Sequence, residues 1–271
     1  SPPAETWADL VFAPRDDAAG MAEAETFLRQ LQLPTDRLIV MSGHQAGWWH
    51  AGILAKYFAM ISAAEALEAA PVWLVVDQDA SESLSVRYPD MLMQEPRPHS
   101  AAMQLALANQ ELLTTLAPAA QLLPATLLTQ TSAFRGLLER MIEEPAKCVE
   151  AYNQALADHP VHGVVPLAAS PAKGRYELPL WSIGPGGQAL GSAQPRKRIY
   201  TTTIGDTPVQ HLAPRALLMT AMFRWLGCDL FIHGLGGGAT GSGGSSSDLA
   251  IEGDAPATIR GYDRIAEAWF K

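Results

Sequence analysis

RLIVMSGHQAGWWHAGILAKYFAMISAAEAL, residues 37–67, changes character twice along its length. Leu38 to Met41 is continuously apolar and reads as a strand buried on both faces, the pattern of a parallel sheet. Ser42-Gly43-His44-Gln45 then reads as a small polar turn. From Ala51 to Ala69 apolar residues recur at Ile53, Leu54, Tyr57, Phe58, Ile61 and Ala64, which is helical spacing. Pro71 is expected to end that helix. Two explanations of the polar turn compete. Either it holds a ligand at the mouth of a parallel sheet, or Gly43 and Gly47 simply permit a tight bend.

The next segment, PVWLVVDQDAS (residues 71–81), begins with a second apolar run, Val72 to Val76, in which three of five residues are β-branched. Strand, helix and strand in succession make a βαβ unit, the building block of a parallel sheet with a right-handed crossover. Both strands end in polar residues at the same sheet edge. The expected fold class is therefore α/β, one domain over residues 1–271 built on a parallel sheet.

Further along, residues 91–160 read as a helical insertion, rich in Ala and Leu, interrupted by Pro118, Pro124 and Pro145 and without a convincing strand. HGVVPLAAS, YELPLWSIG and RIYTTTI are candidate short strands. LAPRALLMTAMFRWLGC reads as a helix opened by Pro214 and closed at Gly227, and CDLFIHGLGGG as a strand followed by a glycine turn. Residues 239–258 contain the run GSGGSSS, whose composition suits a flexible loop, natural or engineered. The terminal GYDRIAEAWFK is helical in pattern.

Composition limits the functional classes. A chain of 271 residues, 48% of them hydrophobic, can bury a full core. Cys148 and Cys228 are far apart and lack CxxC spacing, which fits a reducing cytoplasm better than a disulfide framework. A formal net charge of -9 argues against a nucleic-acid partner, since such binding needs surplus Lys and Arg. The Ala/Leu-rich run from Ala101 to Leu128 is broken by polar residues and Pro, so no membrane span is expected.

In an open parallel sheet, ligands bind outside the carboxyl ends of the strands. Three expected strand ends carry polar or glycine-rich groups: Ser42 to Gln45, Asp77 to Asp79, and His233 to Gly238. GLGGG is not a GxGxxG fingerprint, and the chain holds no GxxxxGK[ST]. No pair of histidines, cysteines or acids matches HExxH or a zinc pattern, so no metal is expected, and nothing identifies a cofactor. His44 either contacts a ligand or caps the following helix. Asp77 and Asp79, two apart in an extended segment, share a side and could orient an amine, accept a proton or cap the next element. Arg215 could bind an anion or form a surface salt bridge.

SGHQAGWWHAGILAKYFAMISAAEAL followed by PVWLVVDQDAS resembles the opening of the bacillithiol synthase family, the cysteine-adding enzymes, in which a TGQQ-type turn follows the first strand. LAPRALLMTAMFRWLGCDLFIHGLGGG and GYDRIAEAWF are similar to that family's arginine-bearing helix, strand, glycine turn and tyrosine-bearing helix. The two blocks cover about a third of the chain, in the family's order. His44 stands where the family has glutamine, DQDAS replaces its acidic-plus-histidine motif, and the family's longer chains carry a C-terminal coiled coil. The chain thus resembles a shortened or divergent relative.

The resemblance implies a Rossmann-like core related to nucleotidyltransferases. It implies an enzyme joining an amino acid or amine to a small acceptor, sugar-containing ones included. His44 with Asp77 or Asp79 would be catalytic. Ser42, Gly43, Gln45, Arg215, His233, Gly236, Gly237 and Tyr262 would bind the ligand, with the arginine and glycines receiving an anionic group. The other reading is a non-catalytic module that binds a small molecule or nucleotide and keeps the fold. The oligomeric state is not legible.

Overall fold

The protein was analysed as a computed structural model, which describes residues 18–45, 49, 51–77, 99–158, 164–183 and 197–232. Its centre is a parallel sheet of four strands, in the order β3-β2-β1-β8. These are β1 (Ile39–Gln45), β2 (Ala70–Val76), β3 (Gln121–Pro124) and β8 (Leu230–Ile232). The strands carrying Ile39, Val75 and Ile232 are parallel neighbours, as the βαβ reading requires. The fold is α/β.

Burial explains why β1 and β2 read as unbroken apolar runs. Ile39, Met41, Val72 and Leu74 face a core with α1 (Ala18–Gln30), α4 (Ser132–Glu143) and α5 (Pro145–Asp158). Val40, Trp73 and Val75 face a second core with α2 (Ala51–Ala66) and α3 (His99–Leu113). A strand covered on both sides has no solvent face, so alternation disappears from its sequence.

Two boundaries differ from the sequence reading. Ser42 to Gln45 are not a turn: they are the second half of β1, paired in register with Trp73 to Val76. Composition alone suggested a turn, but the ladder with β2 supplies backbone partners that local propensity does not register. Similarly, α2 ends before Pro71, which already belongs to β2 opposite Val40. The helix ends at Ala66 and the chain turns at Glu68, whose φ of 52° is left-handed. The N–H of Ala69 donates to the Ala64 carbonyl at 2.8 Å and that of Glu68 to Glu65 at 3.3 Å, the paired bonds of a Schellman motif.

The stretch expected to be helical throughout contains β3, which pairs parallel with β2 from Val72↔Gln121 to Val75↔Pro124. Four residues are too few to print a period, and the helical patterns on either side dominate the reading. Pro124 is tolerated because β3 is the last strand in the sheet order. Pro145 starts α5 rather than merely interrupting a helix.

A second, antiparallel sheet comprises β4 (Ala169–Ser170), β5 (Arg175–Ser182), β6 (Lys197–Tyr200) and β7 (Leu212–Pro214), with β7 paired to β5. It forms around the three candidate short strands. Pro214 closes β7, so α6 (Ala216–Met222) begins after Arg215, and the helix continues as a π turn over Phe223–Gly227. No helix among the described residues is long and apolar enough to cross a membrane. Cys148 and Cys228 are not joined in a disulfide. The Gly/Ser segment 239–258 and the terminal GYDRIAEAWFK lie outside the described residues.

The helix that precedes β1 ends as α2 does. Gln32 has φ 57°, and the N–H of Leu33 donates to Leu28 at 2.9 Å. Both motifs place a side chain where glycine is unstrained. Gln32→Gly and Glu68→Gly should each raise unfolding free energy by roughly 0.5–1 kcal/mol, as strain relief exceeds the added unfolded-state entropy. Urea denaturation of each single variant measures this, and a loss of stability would contradict the left-handed caps.

Candidate functional site at the carboxyl edge of the parallel sheet

The chain runs from β1 to β2 to β3 on one side, then returns with β8 on the other side of β1. Strand order therefore reverses between β1 and β8, the position where open α/β sheets form a ligand crevice. The small polar residues that opened the sequence analysis lie there. Ser42 is fully buried, opposite Ile232, and its hydroxyl donates to the Ile232 carbonyl at 2.7 Å. Its role in the fold is to join β1 to the end of β8.

Gly43 answers to a different constraint. A Cβ there would lie 2.5 Å from the Leu74 carbonyl oxygen and 2.7 Å from the Leu74 Cβ. Both are fixed parts of β2, so the closeness of β1 to β2 excludes any side chain at this position. Gly43 is thus required by strand packing rather than by a bend. His44, half-buried, and Gln45 follow it, opposite Val75 and Val76.

Asp77 comes immediately after β2 and is buried. Its carboxylate accepts from the Thr126 N–H at 3.0 Å and from the Thr126 hydroxyl at 2.7 Å. Thr126 lies in the 3-10 turn Ala125–Gln130 that follows β3. Asp77 thereby ties the carboxyl end of β2 to the segment leaving β3, a long-range tie rather than the cap on the next element that the sequence suggested. His44 and Asp77 lie at the ends of adjacent strands. Asp79, His233, Gly236, Gly237 and Tyr262 lie outside the described residues.

Arg215 is drawn into a different cluster. One terminal nitrogen donates to Glu177 Oε1 at 2.5 Å, and the guanidinium lies 4.2 Å from the centre of the Trp181 ring. Glu177, on β5, is fully buried and also accepts from the Ala168 N–H at 2.9 Å and from Arg198 at 3.3 Å. Burial alone would raise the Glu177 carboxyl. The bonds from Arg215 and Ala168 and the charges of Arg215 and Arg198 outweigh it and hold the group below the usual carboxylate range. Arg215 forms a salt bridge, but a buried one rather than the surface pair that the sequence suggested.

The same edge holds a residue that the sequence reading passed over. Lys56, in the second turn of α2, is only 7% exposed. Its ammonium donates to the Gly43 carbonyl at 2.6 Å and lies 5.7 Å from the centre of the Trp73 ring. It forms no ion pair among the described residues. Burial pushes it down to about 8. Trp73 itself packs 4.8 Å from Trp49 and 5.5 Å from Tyr57, centre to centre, so one side of the lysine is an aromatic wall. A signal existed in the sequence: Lys56 falls within the buried stripe Ile53, Lys56, Tyr57, Met60, where a surface lysine has no place.

No protein-family model matches the chain, and no curated protein matches it. Chemically, the edge offers a half-buried imidazole, a carboxylate held by Thr126 and a buried amine bonded to the Gly43 carbonyl. Among the described residues no group of three His, Cys, Asp or Glu side chains could hold a metal ion.

Two substitutions test this geometry. Gly43→Ala should destabilise the protein by about 1–3 kcal/mol through overpacking against β2, read from urea unfolding; an unchanged midpoint would refute the strand contact. Lys56→Met should stabilise it near pH 7. The folded state releases the Lys56 proton near 8 and the unfolded state near 10.5, so stability rises with pH between those values. The burial cost at pH 7 is about 3 kcal/mol, as an upper estimate. The advantage of the variant should shrink as pH approaches 10.5, and a pH-independent difference would contradict a charged buried amine.

Proposed function

We propose that this chain is a small-molecule enzyme of the bacillithiol-synthase-like type, joining an amino acid or amine to a small acceptor on a Rossmann-like core related to nucleotidyltransferases. The observation that supports this reading is the reversal of strand order between β1 and β8, with Ser42, Gly43, His44 and Gln45 at that edge. A crevice there suits a nucleotide or sugar-containing ligand. His44 is the side chain best situated to contact it, at the end of the central strand and next to the strand that leads to Asp77.

The alternative is a binding module without catalysis. It is favoured by the two hydrogen bonds that hold Asp77 to Thr126, since a carboxylate used as a tie is poorly disposed to act as a base.

Mass spectrometry of ligands released from the purified protein should identify a nucleotide, amino acid or amino sugar. His44→Ala should then weaken binding of that compound, or its turnover, by roughly 1–3 kcal/mol, one polar contact, with a nearly unchanged thermal midpoint. Lower stability with intact affinity would return His44 to a structural role. Turnover of an amine and an acceptor by the wild type separates the enzyme from the binding module.

A further inference from the structure

Two buried cations contrast within this fold. Arg215 has a carboxylate partner in Glu177, whereas among the described residues Lys56 meets the Gly43 carbonyl and the face of Trp73 and no carboxylate. An ammonium has three N–H donors, and removal from water leaves each of them in need of an acceptor. Gly43 lies one residue beyond the last β1–β8 pair, Ser42↔Ile232, so the lysine head is placed where the strand order reverses.

We propose that Lys56 receives an oxyanion of the ligand at this edge, a carboxylate or phosphate that supplies the counter-charge not found among the described residues. The inference rests on the reading of the edge as a ligand crevice and adds the residue that recognises the charged group, a task the sequence reading gave to Arg215. Arg215 already has a carboxylate in direct contact, so an anion gains less there, although Glu177 is shared with Arg198 and the Arg215 Nε is buried without a hydrogen-bond partner among the described residues. At Lys56 the anion meets a cation that is poorly hydrated and held against the Gly43 carbonyl. The Trp73, Trp49 and Tyr57 cluster keeps water from one side, which strengthens the pairing.

The chain contains five lysines, so the side-chain signals of protein labelled with 13C and 15N lysine can be assigned by substitution. Inorganic phosphate and acetate are titrated separately at constant ionic strength. One of them should shift the Lys56 Cε and Nζ signals saturably and leave Lys147, Lys173, Lys197 and Lys271 in place. The effective anion identifies the oxyanion class. The same anion should raise the thermal midpoint of the wild type by several degrees, and that of Lys56→Met and Lys56→Gln by less than a quarter as much. Lys56→Gln retains a donor for the Gly43 carbonyl, so the pair of variants separates charge from packing. Absence of a Lys56 shift with both anions overturns the proposal. So does equal thermal protection of the wild type and both variants, an outcome that leaves the ligand crevice itself standing.

Discussion

β1 and β2 approach so closely at Gly43 that a single methyl group would overlap the Leu74 carbonyl. It belongs to the β1–β2 ladder, whose register sets His44 opposite Val75 and Gln45 opposite Val76. That register therefore fixes which polar residues emerge at the carboxyl edge. β1 is the central member of the β2-β1-β8 set, and Asp229 secures its entry: the carboxylate accepts from the Ile39 N–H at 2.8 Å and the Asp229 N–H donates back to Ile39 at 2.9 Å. With Ser42 bonded to Ile232 farther along, β1 and β8 are tied at both ends of their short pairing.

Polar residues at the end of a buried strand thus have more than one cause here. Ser42 bonds to a neighbouring strand, Gly43 makes room for one, and Asp77 captures the segment that leaves β3. Each satisfies a demand created by burial, because an unmade hydrogen bond in the interior costs more than a made one contributes. His44 and Lys56 add nitrogen groups to the same region. Their positions place an imidazole and an amine at the same edge, and the amine lowers the stability of the fold that carries it.

The two buried ionic arrangements illustrate how differently a fold can accommodate charge. Around Glu177, Arg215, Arg198 and the Ala168 N–H converge on one carboxylate and keep it ionised. Charge and desolvation oppose each other there, and the hydrogen bonds decide the outcome. Around Lys56 no such set exists among the described residues, and desolvation alone governs the amine. A cation held against a carboxylate belongs to the architecture, whereas a cation at a sheet edge with no carboxylate among the described residues invites an anion from solution.

The α/β class, the parallel relation of β1, β2 and β8, and α2 between the first two strands were legible because they rest on long, local patterns. Apolar runs of four or five residues and a helical stripe survive in the sequence whatever surrounds them. β3 was not legible, since Gln121–Pro124 is too short to show a period and becomes a strand only through pairing with β2. The identity of the polar candidates at the edge could also be read from the sequence, but their roles could not. Whether Ser42 to Gln45 bend or extend, whether Asp77 caps or stays available, and whether Arg215 meets an anion or Glu177 depends on partners 31 to 190 residues away. Such pairings arise only when the chain packs, because hydrogen bonds and desolvation depend on distances in space that no local pattern encodes.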